Sequence, residues 1–239
     1  MNTGKKIAIM VGVFYIAGTV AGILSLVFTE PALNAPDYLM TISENSNQVV
    51  IGALLELLMG IAVAGIACTV YPVLRKYHPS IAIGYVGARF VEFVICIVGV
   101  ISLLTLLTLS RGFVQAGTQD ASSFHTLGEL LLATRDWGGH GILDVAVFPL
   151  GALIFSYALY QSKLIPRWLS GWGFITAILY WIPGMLVMFA LISPLSTHMI
   201  VLQAPLGLQE MVMAVWLIVK GFNASAPVFE VPKTNNPLT

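Results

Sequence analysis

Residues 81–109 read IAIGYVGARFVEFVICIVGVISLLTLLTL, an apolar run whose charged side chains are Arg89 and Glu92 alone. About 20 helical residues cross the roughly 30 Å hydrocarbon core of a bilayer, so this run spans it with residues to spare. Working outward, five further runs of the same kind appear at residues 7–28, 49–71, 139–160, 169–192 and 200–219. Their length and hydropathy predict an all-α polytopic membrane bundle with six transmembrane helices. The membrane domain is expected over residues 1–222 and a flexible cytoplasmic tail over residues 223–239.

Composition leads to the same class. The chain is 58% apolar and 9% charged, against about 25% charged residues in ordinary soluble domains. Eleven basic residues balance eleven acidic ones, and no basic cluster exceeds two adjacent residues. A soluble enzyme, a disordered tail and a nucleic-acid partner are excluded on these grounds. Lys5 and Lys6 before the first run resemble the start of a signal peptide. The run is longer than the roughly 7–15 residues of a signal-peptide core, and no A-x-A site follows Phe28, so it reads as a retained span. Cys68 and Cys96 both lie inside apolar runs and read as small packing residues. The chain contains no G-x-x-x-x-G-K-[ST] loop, so ATP-driven work by this chain alone is not expected.

Lysine and arginine fall on alternate sides of the six runs. One side holds Lys5, Lys6, Arg75, Lys76, Lys163, Arg167, Lys220 and Lys233, and the other Arg111 and Arg135. The positive-inside rule then puts both termini in the cytoplasm. Tyr71, Tyr77, Tyr160, Trp168, Trp172 and Trp216 gather near that inner interface, and Tyr38 and Trp137 near the outer one. The inner connections at residues 72–80 and 161–168 are short, basic and proline-containing, and read as tight hairpins. The outer connections at residues 29–48 and 110–138 are longer. Phe124, Leu127 and Leu131 recur at helical spacing behind Ser122 and Ser123, which predicts a short amphipathic helix on the outer membrane face.

An ionisable group at mid-span costs roughly 2.5–3.5 kcal/mol on insertion scales, so such groups face one another or water. Here they are Glu56, Arg89, Glu92, Asp144 and Glu210. Arg89 and Glu92 share a helical face at i, i+3 and can pair directly. The expected arrangement is one central polar cluster of Glu56, Arg89, Glu92 and Glu210, with Asp144 and His140 nearer the outer mouth. Its carboxylates outnumber its guanidinium, which suits a cation or a protonated carboxyl. The same residues also fit a staple that fixes helix register. Gly60, Ala64, Gly65, Gly84, Gly87 and Ala88 read as positions of close helix approach.

His140 and Asp144 stand at i, i+4, a spacing at which imidazole and carboxylate can hold zinc and activate a water on a lipid ester or amide. His125 and His198 also fall on the outer side. A solvated histidine or a loop cap accounts for the same spacing, and no H-E-x-x-H motif is present. Pro149 in the fourth run and Pro183-Gly184 in the fifth interrupt helical hydrogen bonding and predict kinks.

The segments Tyr71-Pro72-Val73-Leu74-Arg75-Lys76-Tyr77, Arg89-x-x-Glu92, Leu164-Ile165-Pro166-Arg167-Trp168-Leu169-Ser170-Gly171-Trp172-Gly173, and Glu210 followed by Val215-Trp216-Leu217-Ile218-Val219-Lys220-Gly221-Phe222 resemble the bacterial family catalogued as domain of unknown function 4386. The resemblance covers nearly the whole chain. It implies a six-helix protein of the bacterial inner membrane, and it implies no reaction. Three functions stay open: binding or transport of a small polar or cationic molecule or lipid headgroup at the acidic cluster, an intramembrane metal-dependent hydrolase, and a structural or regulatory subunit of a membrane complex. Beyond the bilayer, a homo-oligomer is an expected partner, because six spans are few for a transporter working as a monomer.

Overall fold

The computed structural model describes residues 3–117 and 120–227. Among them every regular element is helical: α1 (Thr3–Leu33), α2 (Tyr38–Glu44), α3 (Ser46–Tyr77), α4 (Pro79–Ala116), α5 (Ala121–Asp136), a π-helical segment (Trp137–Val147), α6 (Phe148–Ser162), α7 (Arg167–Leu179), α8 (Trp181–Met188) and α9 (Thr197–Val219). Six stretches are long and apolar enough to cross a membrane: α1, α3, α4, residues 121–162, residues 167–188, and α9. The protein is a multi-pass membrane bundle. Ile23, Val27, Leu54, Ile83, Val94, Ile101 and Val201 stand half exposed around its circumference, as lipid-facing side chains do.

Local chemistry sets the helix ends. Pro79 opens α4, where the first turn needs no N–H from it, and Gly117 follows its end in a left-handed conformation. Arg75 and Lys76 occupy the last turn of α3, beside carbonyls that carry partial negative charge. Ser196 caps α9 by accepting from the Met199 N–H at 3.4 Å.

The helices outrun the predicted spans. At about 1.5 Å per residue, the 38 residues of α4 extend about 57 Å, nearly twice the hydrocarbon thickness. The surplus forms a helical cap at the end opposite the N-terminus. There Leu39, Ile42, Val49, Leu103 and Leu106 make a core of their own, with Phe113, Phe124 and Leu131 packed against it. Residues 122–132 are helical as expected, but they do not form a separate surface helix. They belong to α5, which runs without a break into the π-helical segment and α6. The Phe113 and Phe124 rings meet edge to face at 5.8 Å, and Ser110 Oγ donates to the Leu39 carbonyl, so α5 and α2 are tied to the end of α4. Tyr38 OH donates to the His125 carbonyl at 3.3 Å. Burial, with the Glu129 carboxylate second, holds the Tyr38 phenol above its ordinary pKa.

The other half of the bundle is filled by Tyr15, Ile66, Tyr85, Phe155, Leu159 and Met213. Close approach there uses small residues. Gly60 lies against Phe93 and Cys96, and Gly65 against Phe14. Gly84 and Gly87 behave otherwise: a side chain at either would meet nothing within 4 Å, so they face outward and seal no contact. Cys96 is buried, whereas Cys68 is exposed on the surface and is not a packing residue.

Helical hydrogen bonding is irregular near both prolines. Phe148 N–H reaches back five residues to the Leu143 carbonyl, and Pro149 follows with no N–H to offer. The Val145 carbonyl, four residues before Pro149, accepts from the indole N–H of Trp181 at 2.5 Å. The fifth span divides at Tyr180 into α7 and α8, and its helix ends at Met188 rather than Ile192. The expected tail begins with residues that are tied down. Asn223 N–H donates to the Leu164 carbonyl at 2.8 Å and Ala226 is fully buried. Residues 228–239 of that tail, including Lys233, lie outside the described residues.

Candidate functional site

The intramembrane charges divide into two groups instead of one. The first surrounds Arg89 on α4, which is 1% exposed. Its Nη1 donates to Glu92 Oε2 at 2.8 Å, one turn along the same helix. Its Nη2 lies 3.6 Å from Glu210 Oε1 on α9 and donates to Tyr15 OH on α1 at 3.1 Å. Its Nε donates to Tyr85 OH at 3.1 Å. The guanidinium also lies 5.4 to 5.8 Å from the ring centroids of Tyr15, Tyr85 and Phe148, within cation–π range. Four helices thus converge on one planar cation. The arrangement supplies the fixed, fork-shaped donor geometry that arginine provides and lysine does not.

Glu56 does not join this knot. Its Oε2 lies 2.8 Å from Arg135 Nη1, and Arg135 comes from the last turn of α5, which the sequence assigned to an outer loop. Arg135 Nη1 also donates to the Gly99 carbonyl at 3.2 Å. The ion pair is close, yet Glu56 Oε2 is buried without a well-directed hydrogen bond. The reason for the difference from the expected cluster is the length of α5: because it continues into the π-helical segment, it carries Arg135 down against α3 and α4.

Beside this pair lies a cavity of about 280 Å³. Glu30, Glu56, Asp136 and Asp144 line it, with Arg135 as the opposing cation and His140 between. The π-helical segment forms one wall and presents both His140 and Asp144. Asp144 is 6% exposed and accepts from Tyr180 OH at 3.1 Å and from Gln203 Nε2 at 3.0 Å. His140 Nδ1 stands 3.7 Å from Asp144 Oδ2. Gly184 lets α8 approach this wall, since a Cβ there would sit 3.0 Å from the Asp144 carbonyl oxygen. π-Helical turns inside α-helices are frequent at functional sites, and the widened turn shifts side chains out of α-helical register.

Residues 10–221 match the family model described as domain of unknown function (DUF4386). The chain belongs to this family. No curated protein and no solved structure matches it. The DUF4386 match includes the Arg89 knot and every residue that lines the cavity.

Two donors of the zinc reading, His140 and Asp144, do stand together in this DUF4386 protein, with His140 Nδ1 3.7 Å from Asp144 Oδ2. Among the described residues no three His, Cys, Asp or Glu side chains gather as a metal-holding group, and catalytic zinc takes three protein ligands. His125 packs on the rings of Tyr38 and Phe113, and His198 is exposed, so neither joins His140.

Sequence reasoning missed Tyr15, Tyr85, Tyr180, Gln203 and Arg135. Tyr85 sits at i−4 from Arg89, so helical spacing alone places it on the same face. Gln203 and Tyr180 carry no such signal, since each reaches Asp144 from a different helix.

Proposed function

We propose that this multi-pass membrane protein binds a small, positively charged molecule, an amine or quaternary ammonium, in the cavity beside Glu56 and Asp144. The observation that carries the reading is the lining itself: four carboxylates, Glu30, Glu56, Asp136 and Asp144, face one guanidinium, Arg135. Arg135 is already committed to Glu56. The remaining acidic excess attracts a cation, and ionisable groups inside a span default to such a role. A cavity of about 280 Å³ sits at the small end of the range for small-molecule sites, which favours a compact ligand.

Binding is the function that this geometry supports. Passage across the membrane would require a second state, because the bundle beyond the cavity is filled by Tyr15, Tyr85 and Phe155 around Arg89. Glu30, Thr134 and Leu195 in its lining lie toward the end that the lysine and arginine distribution assigns to the outside.

Thermal melting of the detergent-purified protein tests the reading, with ethanolamine, choline and spermidine each compared with sodium at equal ionic strength. One of the three is expected to raise Tm, as ligand linkage requires, and Asp144→Asn, which keeps the shape of the acceptor, is expected to abolish the rise. If none of the three raises Tm, or if Asp144→Asn responds as the wild type does, the reading fails.

A further inference from the structure

At the opposite end of the bundle, near the N-terminus of α1, lies a second concavity of about 550 Å³. Lys163, Arg167 and Lys220 line it, and among the described residues no carboxylate does. Lys5 stands beside it, its Cγ 3.5 Å from where a Cβ on Gly221 would be. This grouping is unlike the acidic cavity in sign, position and construction.

The floor is fixed rather than frayed. Asn223 Nδ2 donates to the Lys163 carbonyl at 3.2 Å and Asn223 N–H to the Leu164 carbonyl at 2.8 Å, which draws the segment after α9 across the α6–α7 connection. Phe222 is buried beneath it. Helix α7 begins at this rim with Arg167, directly after Pro166. The first N–H groups of a helix have no intrahelical acceptor and carry partial positive charge, which adds to the three cations.

The basic concavity does not stand alone. A second hollow of about 430 Å³ runs along the outward face of α9, lined by Met211, Val212, Val215 and Val219, and it shares Trp216 and Lys220 with the basic one. Trp216 meets Trp168 edge to face at 6.5 Å. Tryptophans of this kind mark the level of lipid headgroups. From Val219 back to Met211 the groove follows eight residues, about 12 Å of helix running into the span.

We infer that these two joined concavities bind one anionic phospholipid, its phosphate between Lys163, Arg167 and Lys220 and an acyl chain along Met211, Val215 and Val219. Charge selects the headgroup. A basic recess at the cytoplasmic ends of membrane helices is the kind of place where anionic headgroups are held. The apolar continuation selects a lipid over a soluble phosphate, which would fill the basic recess and leave the groove empty.

Titration of the full chain in mild detergent with phosphatidylglycerol, with phosphatidylcholine of the same acyl chains, and with inorganic phosphate separates the alternatives by thermal melting. Phosphatidylglycerol is expected to stabilise the protein at a lower concentration than phosphatidylcholine, with inorganic phosphate giving little shift. Each cation removed is expected to weaken the phosphatidylglycerol response about fivefold. Lys163→Gln and Lys220→Gln alter exposed side chains, and their melting in phosphatidylcholine is expected to match the wild type. As a second reading, phosphatidylglycerol with brominated tails is expected to quench tryptophan emission in the wild type and to quench less in Trp216→Phe. Equal responses to the two lipids overturn the proposal, as does a full response to inorganic phosphate, or a phosphatidylglycerol preference that survives in Lys163→Gln/Lys220→Gln.

Discussion

Glu56 Oε2 and Arg135 Nη1 stand 2.8 Å apart, the carboxylate ten residues into α3 and the guanidinium in the last turn of α5. Both side chains are about nine-tenths buried. Removing one partner leaves the other charged and desolvated, which costs more than removing both. Glu56→Gln and Arg135→Gln are therefore each expected to lower stability, and the double variant to lose less than the sum. A double-mutant cycle measured by denaturant unfolding is expected to return a coupling of about 0.5–3 kcal/mol. Strict additivity would show that the pair does not hold α5 against the bundle.

Arg89 presents the sharper case, because Tyr15, Tyr85, Glu92 and Glu210 all meet its guanidinium. Arg89→Ala is expected to cost about 3–5 kcal/mol, the range for breaking a buried ion pair from one side. Replacing the helix pair together, as Arg89→Met/Glu92→Leu, is expected to be less damaging than Arg89→Ala alone. Unfolding midpoints of the three proteins decide it. The reverse order would mean that the knot's contribution lies in Arg89 itself rather than in the matching of charges.

Much of this was legible from residue spacing. The six apolar runs are long because the bilayer is thick, so their number survives errors at their ends, and Arg89 and Glu92 pair because i, i+3 is a local relation. The division of the charges into two groups was hidden. It depends on α5 continuing unbroken through Trp137, where Gly138 and Gly139 favour a break over a persisting helix. Arg135 consequently read as a loop residue. Gly84 and Gly87 show the converse limit: small residues permit close approach, but only the placement of neighbouring helices decides whether one comes, and here none does.

Pro149 and Trp181 form a second local relation with a consequence for stability. Trp181 supplies the donor that Pro149 cannot, through the 2.5 Å bond from its indole to the Val145 carbonyl. Trp181→Phe leaves that carbonyl without this donor and is expected to cost about 1–3 kcal/mol for the unmet acceptor. Adding Pro149→Ala restores a backbone N–H four residues after Val145. In the Trp181→Phe background this second change is expected to raise Tm. A fall in Tm would show that the proline's ring packing, and not the missing hydrogen bond, governs the kink.

Two glycines on α4 offer the most direct test of the surface against which Glu56 and Arg135 pair. A Cβ on Gly99 would sit 2.5 Å from Glu56 Oε1 and 3.5 Å from Arg135 Nη1, whereas one on Gly87 would meet nothing within 4 Å. Both changes are glycine to alanine within the same helix, so the gain in helix propensity, up to about 1 kcal/mol, is common to them. Gly87→Ala is expected to leave stability unchanged or slightly raised. Gly99→Ala displaces the Glu56 carboxylate from its place, and it is expected to lower Tm and to weaken the response to whichever amine stabilises the wild type. Melting curves with and without that amine compare the two on one scale. Equal behaviour of the two variants would mean that Glu56 relaxes freely, and that its position beside Arg135 is not set by the close passage of α3 over Gly99.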